Sequence, residues 1–221
     1  TGENDAVVEG LGQFRPVSAP VDCCESGSTL RFLIPLASLT GQEITFVGRG
    51  RLMERPQSVY EELYRAKGLR FEQTPSGLTV EGLLSSGDYT LAGNVSSQFI
   101  SGLLFALPLL GGTSTLHLLP PVESRSYIDM TRAVQAAFGV ESRWLDETTL
   151  EISGGQEYHP CDYTVEGDYS QAAFPAVLGA VAGGVTLTGL AEKTLQGDAA
   201  ILDILRRCGA KFTPTAAGIV F

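Results

Sequence analysis

The chain has 221 residues, of which 43% are hydrophobic and 18% charged, so it can bury a core and does not have the composition of a disordered segment. It carries 25 acidic against 15 basic residues, a formal net charge of −10. That balance argues against a general nucleic-acid or anionic-membrane surface, yet a small anion can still bind where basic groups gather locally.

Taken in chain order, the segment Ala6–Leu11 reads as a strand closing some earlier unit, because Val7-Val8-Glu9-Gly10-Leu11 echoes Val80-Glu81-Gly82-Leu83. A nearly all-apolar helix is predicted from Ser28, then a strand over Glu43–Val47 and an amphipathic helix over Pro56–Lys67 stopped by Gly68. Paired strands Leu69–Gln73 and Leu78–Glu81 follow around Pro75-Ser76-Gly77. The same grammar then recurs: a buried helix from Ser96, a strand over Ser114–Leu118, a helix over Ile128–Phe138 stopped by Gly139, and strands Val140–Trp144 and Thr149–Ile152. A third round has a helix from Ser170, a strand Val185–Thr188, a helix Gly197–Cys208 stopped by Gly209, and strands Lys211–Thr213 and Ile219–Phe221. Three units of about 70 residues make an internal repeat, and all three first helices, with apolar residues all round, are expected to be buried on most sides. With an orphan strand before the first unit and the chain stopping at Phe221, the whole is expected to be a piece of something longer.

Each buried helix begins at a Gly, Ser or Asp junction. Equivalent helices of a pseudo-symmetric domain run in one direction, so three N-termini are expected on one face, each with unpaired N–H groups and a partial positive charge of about half a unit. Serines there cap helices; three such junctions, one continuing Ser96-Ser97-Gln98, also make an anion site. Arg31 falls one turn into the first helix, and Arg49, Arg51 and Arg55 cluster after the first strand, a local excess of guanidinium groups suited to carboxylate or phosphate. At the matching place in the second unit, Ser124 and Tyr127 can reach an oxygen-rich ligand or form a capping box.

Cys23, Cys24, Cys161 and Cys208 lack the spacing of a zinc site or disulfide framework and read as reduced thiols of a cytosolic protein; His117 and His159 stand in unrelated contexts, so no metal is expected. The longest apolar stretches contain Gly, Ser or Pro and lead into strand patterns, which marks core helices instead of membrane spans or a signal peptide.

The ordered set Glu25-Ser26-Gly27-Ser28-Thr29-Leu30-Arg31, Arg51-Leu52-Met53-Glu54-Arg55-Pro56, Val95-Ser96-Ser97-Gln98-Phe99, Glu123-Ser124-Arg125-Ser126-Tyr127-Ile128-Asp129, Glu166-Gly167-Asp168-Tyr169-Ser170 and Leu195-Gln196-Gly197-Asp198 resembles the 5-enolpyruvylshikimate-3-phosphate synthases over essentially the whole chain. The resemblance implies an α+β fold of repeated βαβαββ units, the inside-out α/β barrel globe of enolpyruvyl transferases, with about three units present. Residues 1–195 would form most of the first globe and 196–221 the start of the second. It implies transfer of the enolpyruvyl group of phosphoenolpyruvate to the 5-hydroxyl of shikimate 3-phosphate with release of phosphate, in the cytoplasmic shikimate pathway to chorismate and the aromatic amino acids, with no metal or organic cofactor.

Position by position, Ser96, Ser97, Gln98, Ser124 and Tyr127 correspond to contacts with shikimate 3-phosphate, Gln98 also lying near phosphoenolpyruvate. Gly27 and Arg55 correspond to the phosphoenolpyruvate site, and Arg31 and Asp198 to supporting positions. The family's opening Gly-Ser-Lys-Ser segment has no counterpart here, and Glu25 stands where the family often has Asn. The aspartate and glutamate that transfer protons, several arginines and a late lysine belong to the second globe. No catalytic acid or base is therefore expected within this chain, which would be inactive alone and complemented by the remainder of its own enzyme. Two rivals remain at this point: the related transferase acting on UDP-N-acetylglucosamine, whose mobile-loop cysteine Cys23-Cys24 brings to mind, and a non-catalytic repeat module whose polar helix starts are only caps.

Overall fold

The computed structural model describes residues 5–10, 12, 14, 15 and 17–221. They divide into two compact units, residues through Glu123 with Val140–Glu157, and Ser124–Gly139 with Tyr158–Phe221.

In the first unit a short strand β1 (Val21–Asp22) leads into helix α1 (Gly27–Ala37), strand β2 (Ile44–Val47), helix α2 (Ser58–Ala66) and the hairpin β3 (Arg70–Thr74) and β4 (Gly77–Glu81). The sheet order is β1-β2-β4-β3, with β1 parallel to β2 and the remaining pairs antiparallel. The pattern then repeats. Strand β5 (Asp88–Ala92), helix α3 (Ser97–Ala106), strand β6 (Ser114–Leu119), helix α4 (Arg125–Ala137) and strands β7 (Arg143–Trp144) and β8 (Thr149–Ile152) give a second sheet, β5-β6-β8-β7, with the same directions. Two βαβαββ repeats are thus present in full. The alternation in β2 and β6 turns Ile44 and Phe46, and Leu116 and Leu118, inward.

Within the first unit α1 and α3 pack together, with Leu30, Ile34, Ile100, Leu103 and Leu104 buried and Phe32 and Phe105 edge-to-face at 5.2 Å. The contact is close because of one residue. A Cβ on Gly102 would lie 2.3 Å from the Tyr60 hydroxyl oxygen and 2.4 Å from the Arg31 carbonyl oxygen, so only glycine lets α3 approach α1 here. That carbonyl is special: Pro35, inside α1, has no N–H to give to it. The buried Tyr60 hydroxyl of α2 takes over as donor, 2.9 Å from Arg31 O and also 2.9 Å from Phe99 O.

The second unit contains α4 and a third repeat: helix α5 (Tyr169–Ala182), strand β9 (Thr186–Leu187), a 3-10 turn (Gly197–Ala199), helix α6 (Ala200–Arg207) and strands β10 (Thr213–Thr215) and β11 (Gly218–Val220). Its sheet, β10-β11-β9, keeps the order and antiparallel pairing of β3-β4-β2 and lacks, among the described residues, the parallel first strand. Ala176, Leu187 and Leu205 form its core, with Ile201, Ile219 and Phe221 packed around them. Where α2, α4 and α6 end, Gly68, Gly139 and Gly209 all have positive φ, as their expected role of helix stops requires.

Three expectations need correction. Residues 6–10 form no strand and leave Val7 and Val8 exposed, Leu11 lying outside the described residues. Strands β1 and β5 escaped sequence reading, since β1 is two residues long and β5 alternates Asp, Tyr, Thr, Leu next to Ser and Gly. Helix α5, apolar on every side, nevertheless exposes Phe174, Val177, Leu178 and Val181. Among the described residues, no helix is long and apolar enough to cross a membrane.

Candidate functional site

The start of α1 and the start of α3 meet through side chains. Ser26, not Ser28, caps α1, its hydroxyl accepting from Thr29 N at 3.1 Å. Ser28 is thereby free to turn toward α3, where its hydroxyl accepts from Gln98 Nε2 at 2.8 Å. Ser96 caps α3 with a longer bond from Gln98 N, 3.4 Å; it is exposed, whereas Ser97 and Gln98 are half-buried. The Gln98 carbonyl oxygen accepts from Arg31 Nη1 at 2.9 Å. Arg31 also gives Nε to Gln57 Oε1 at 3.2 Å and lays its guanidinium over the Phe99 ring at 4.4 Å.

Gln57 is 1% exposed, and its Nε2 reaches the Arg55 carbonyl at 3.4 Å, a carbonyl also held by Gln73 Nε2 at 3.0 Å. The Arg55 side chain lies beside Gly27: a Cβ on that glycine would come 3.0 Å from Arg55 Nη1. Thus Gly27, Ser28, Arg31, Arg55 and Gln98, separate in sequence, are neighbours in the first unit. The expected arginine cluster resolves into unlike members, since Arg49 pairs with Asp22 at 2.9 Å and Arg51 with Glu54 at 3.2 Å. Arg31 and Arg55 have no carboxylate partner among the described residues. Burial pulls the Arg31 pKa down, and the Arg55 charge adds to that, though a guanidinium stays protonated throughout the working range. Two like charges without a counter-ion, at two helix N-termini with neutral caps, make a place that an anion would stabilise. A hollow of about 300 Å³ opens between Arg51, Glu54, Arg55 and Pro56.

In the second unit Ser124 stands immediately before α4 with φ 56°, a left-handed conformation uncommon for a residue with a side chain. Its hydroxyl makes no capping bond, so the capping-box alternative fails and the group faces outward, exposed. One turn on, the Tyr127 hydroxyl donates to the Asp198 carboxylate from the 3-10 turn before α6. That bond, with burial and the Asp198 charge behind it, pushes the Tyr127 pKa up to about 12. Gly197 lies close by: a Cβ there would come 2.8 Å from the Ser126 hydroxyl.

The α5 terminus differs from the other two. Asp168, not Ser170, caps it, its carboxylate accepting from Ser170 N at 2.7 Å and Gln171 N at 3.3 Å. The chain's own negative charge already occupies this helix end, contrary to the expectation that all three would offer free N–H groups. An open cleft of about 410 Å³ beside it is lined by Pro175 and Leu187 and by the polar Asp168, Gln171, Thr186 and Thr188, with no basic side chain to neutralise an anion.

A family model described as EPSP synthase (3-phosphoshikimate 1-carboxyvinyltransferase) matches residues 2–220. The chain belongs to the EPSP synthase family. Among its relatives, the 3-phosphoshikimate 1-carboxyvinyltransferase of Clostridium kluyveri is 44% identical over 213 residues, covering 95% of this chain and 50% of the relative. That of Brachyspira hyodysenteriae is 44% identical over 190 residues, covering 86% and 45%. The solved EPSP synthase of Acinetobacter baumannii superposes with a TM-score of 0.72 at 22% identity, covering 93% of this chain and 47% of that one, which shows the shared fold. The chain spans about half the length of the curated relatives it matches.

Sequence reading did not find Gln57, Tyr60 or Gly102. Gln57 sits after a proline with no periodic signal, and Tyr60 reads as an ordinary apolar position of α2. The one available clue was Pro35 inside a helical pattern, which implies a carbonyl in need of a donor.

Proposed function

We propose that this chain forms most of one half of the site of an enolpyruvyl transferase of the shikimate pathway, acting in the cytoplasm without metal or organic cofactor. Residues 1–195 belong in this reading to the first globe and 196–221 begin the second, the remainder of the enzyme being the chain's partner. Ser96, Ser97, Gln98, Ser124 and Tyr127 bind shikimate 3-phosphate, Gly27 and Arg55 bind phosphoenolpyruvate, and Arg31 and Asp198 support them. In the reaction the 5-hydroxyl of shikimate 3-phosphate gives up its proton to a base and its oxygen bonds to C2 of phosphoenolpyruvate while C3 gains a proton from an acid. The adduct then loses phosphate from C2 and a proton from C3, restoring the double bond. The groups that move those protons belong to the part of the enzyme outside these 221 residues, so this chain alone binds and does not turn over.

The observation that carries the reading is the meeting of the Gly27–Arg31 and Ser96–Gln98 motifs through the Arg31–Gln98–Ser28 hydrogen bonds, with Arg55 at the Gly27 edge. Two positive side chains without carboxylates suit a phosphorylated, carboxylated ligand pair. Names of the relatives favour the shikimate substrate over the nucleotide sugar. Titrating the 221-residue chain with shikimate 3-phosphate, followed by amide chemical shifts, tests it: shifts at Ser96–Gln98 and Tyr127 are expected. Absence of any shift at millimolar ligand, or an equal response to UDP-N-acetylglucosamine, would overturn it, and turnover by this chain alone would overturn the division of labour.

A further inference from the structure

The polar groups linking α1, α2 and α3 carry more information than a ligand-contact reading uses. A primary amide can point either end toward a neighbour, but a guanidinium has five donors and no acceptor. Arg31 lies against both Gln57 and Gln98, so both must turn their oxygens to it, as observed. Each amide's nitrogen is then forced the other way: Gln57 Nε2 to the Arg55 carbonyl, Gln98 Nε2 to the Ser28 hydroxyl. Since Gln98 Nε2 carries two hydrogens and Ser28 takes one, the second is left as a donor on a half-buried residue at the α3 N-terminus. The guanidinium itself is fixed from its face by the Phe99 ring, and the Arg31 backbone by the Tyr60 hydroxyl. Because its partners are neutral amides, the Arg31 charge is oriented and left uncancelled.

We infer that Arg31 is a positioning residue: by holding the Gln98 carbonyl oxygen on its own guanidinium it leaves an amide N–H as the group Gln98 can offer the anionic ligand, and through Gln57 it ties the Arg55 backbone to the same scaffold. This rests on the reading of the site given above. Gln98 touches ligand, and Arg31 acts through it. The consequence is selectivity for an acceptor-rich ligand group, because an amide free to flip would receive donors and acceptors alike.

The test has two arms on the 221-residue chain. With glutamine side chains labelled by nitrogen-15, the Gln98 amide pair, assigned by its loss in Gln98→Met, is expected away from the exposed-glutamine position in the wild type and to move toward it in Arg31→Met. Unchanged Gln98 signals in Arg31→Met would overturn the inference. Arg31→Lys keeps the charge, but a point ammonium cannot serve two amides and stack on a ring together. Its Gln98 signals are expected to move as well, which covers the case in which Arg31→Met does not fold. In the second arm, shikimate 3-phosphate affinity is expected to fall about ten-fold in Arg31→Met and remain reduced in Arg31→Lys. Adding Arg31→Met to Gln98→Met should change affinity less than about two-fold, since the positioned group is already gone. Full rescue by Arg31→Lys, or a full further loss in the double variant, would show that charge alone acts and would overturn the positioning role. If the wild type binds no shikimate 3-phosphate, the function reading fails while the amide arm still judges the inference.

Discussion

Helices α1 and α5 each carry a proline in their interior, Pro35 and Pro175, and each proline removes the N–H that would serve the carbonyl four residues earlier. In α1 that carbonyl is Arg31's, and the buried Tyr60 hydroxyl replaces the lost donor at 2.9 Å. In α5 it is Gln171's, on an exposed residue that water can serve. The two helix starts differ in the same sense. Neutral Ser26 caps α1 beside an arginine without a counter-ion, whereas the Asp168 carboxylate caps α5. The carbonyl freed by Pro175 is thus left to solvent, while buried Pro35 is answered by a specific donor, and here that donor helps to fix α1 against α3. The defect and the site are built at one place: the backbone of Arg31 receives Tyr60, and its side chain orients Gln98.

The sharpest way to break this contrast is Gly102→Ala. Its new Cβ must push aside the Tyr60 hydroxyl and the Arg31 carbonyl, one of them backbone, so denaturant unfolding is expected to show a loss of about 1–3 kcal/mol despite alanine's better helix propensity. Val181→Ala in α5, at a residue 84% exposed, is expected to stay within about 0.5 kcal/mol. Equal costs would show that α1 and α3 are no more tightly joined than the α5 surface. Next in size is Tyr60→Phe, which leaves the Arg31 carbonyl unserved at about 1–2 kcal/mol. Restoring the helix donor should make Tyr60 dispensable, so the same substitution is expected to cost measurably less in a Pro35→Ala background. An undiminished cost in that double-mutant cycle would remove the proline from the explanation.

Why some of this was legible in the sequence and some not follows from the range of each interaction. The repeat shows because glycine stops, apolar helices and hairpin turns are local: Gly68, Gly139 and Gly209 each announce a helix end within a few residues. The motifs around Gly27, Arg55 and Ser96–Gln98 were visible as residue strings of a known family. Arg31 facing Gln98 across 67 positions, or Tyr60 facing an α1 carbonyl, could not be, because such pairings exist only once α1 and α3 are packed. The identity of the caps was missed for a smaller reason. Ser26 and Ser28 are chemically equivalent candidates, and only the bond from Thr29 N separates them. Burial of α5 was overestimated because apolarity states what a helix can bury, and its neighbours decide what it does bury.

A third, smaller effect carries the comparison to the polar junction of the second unit. Tyr127 has its pKa pushed up to about 12 by the Asp198 hydrogen bond, so the folded state holds the phenolic proton more tightly than the unfolded chain, whose ordinary value is 10. The stabilisation is complete below pH 10 and is lost as pH rises from 10 toward 12. Tyrosinate absorbance should show one tyrosine titrating earlier in Asp198→Ala than in the wild type, with a shallower alkaline fall in stability. An identical titration curve would mean that Asp198 does not hold Tyr127.

The smallest expected effect on stability belongs to the exposed face of α5. Phe174 is 76% and Val181 84% exposed, so Phe174→Ser with Val181→Ser removes little that folding buries and should leave the unfolding free energy within about 0.5 kcal/mol of wild type. What should change is association. A contiguous apolar face draws other apolar surfaces, so the double variant is expected to bind less hydrophobic dye and to stay monomeric to higher concentration. Unchanged dye binding, with a stability loss like that of Gly102→Ala, would show that these side chains are packed in solution and that α5 resembles α3 after all. The outcome turns on context, because α5 and α3 are both predominantly apolar helices and differ in what covers them.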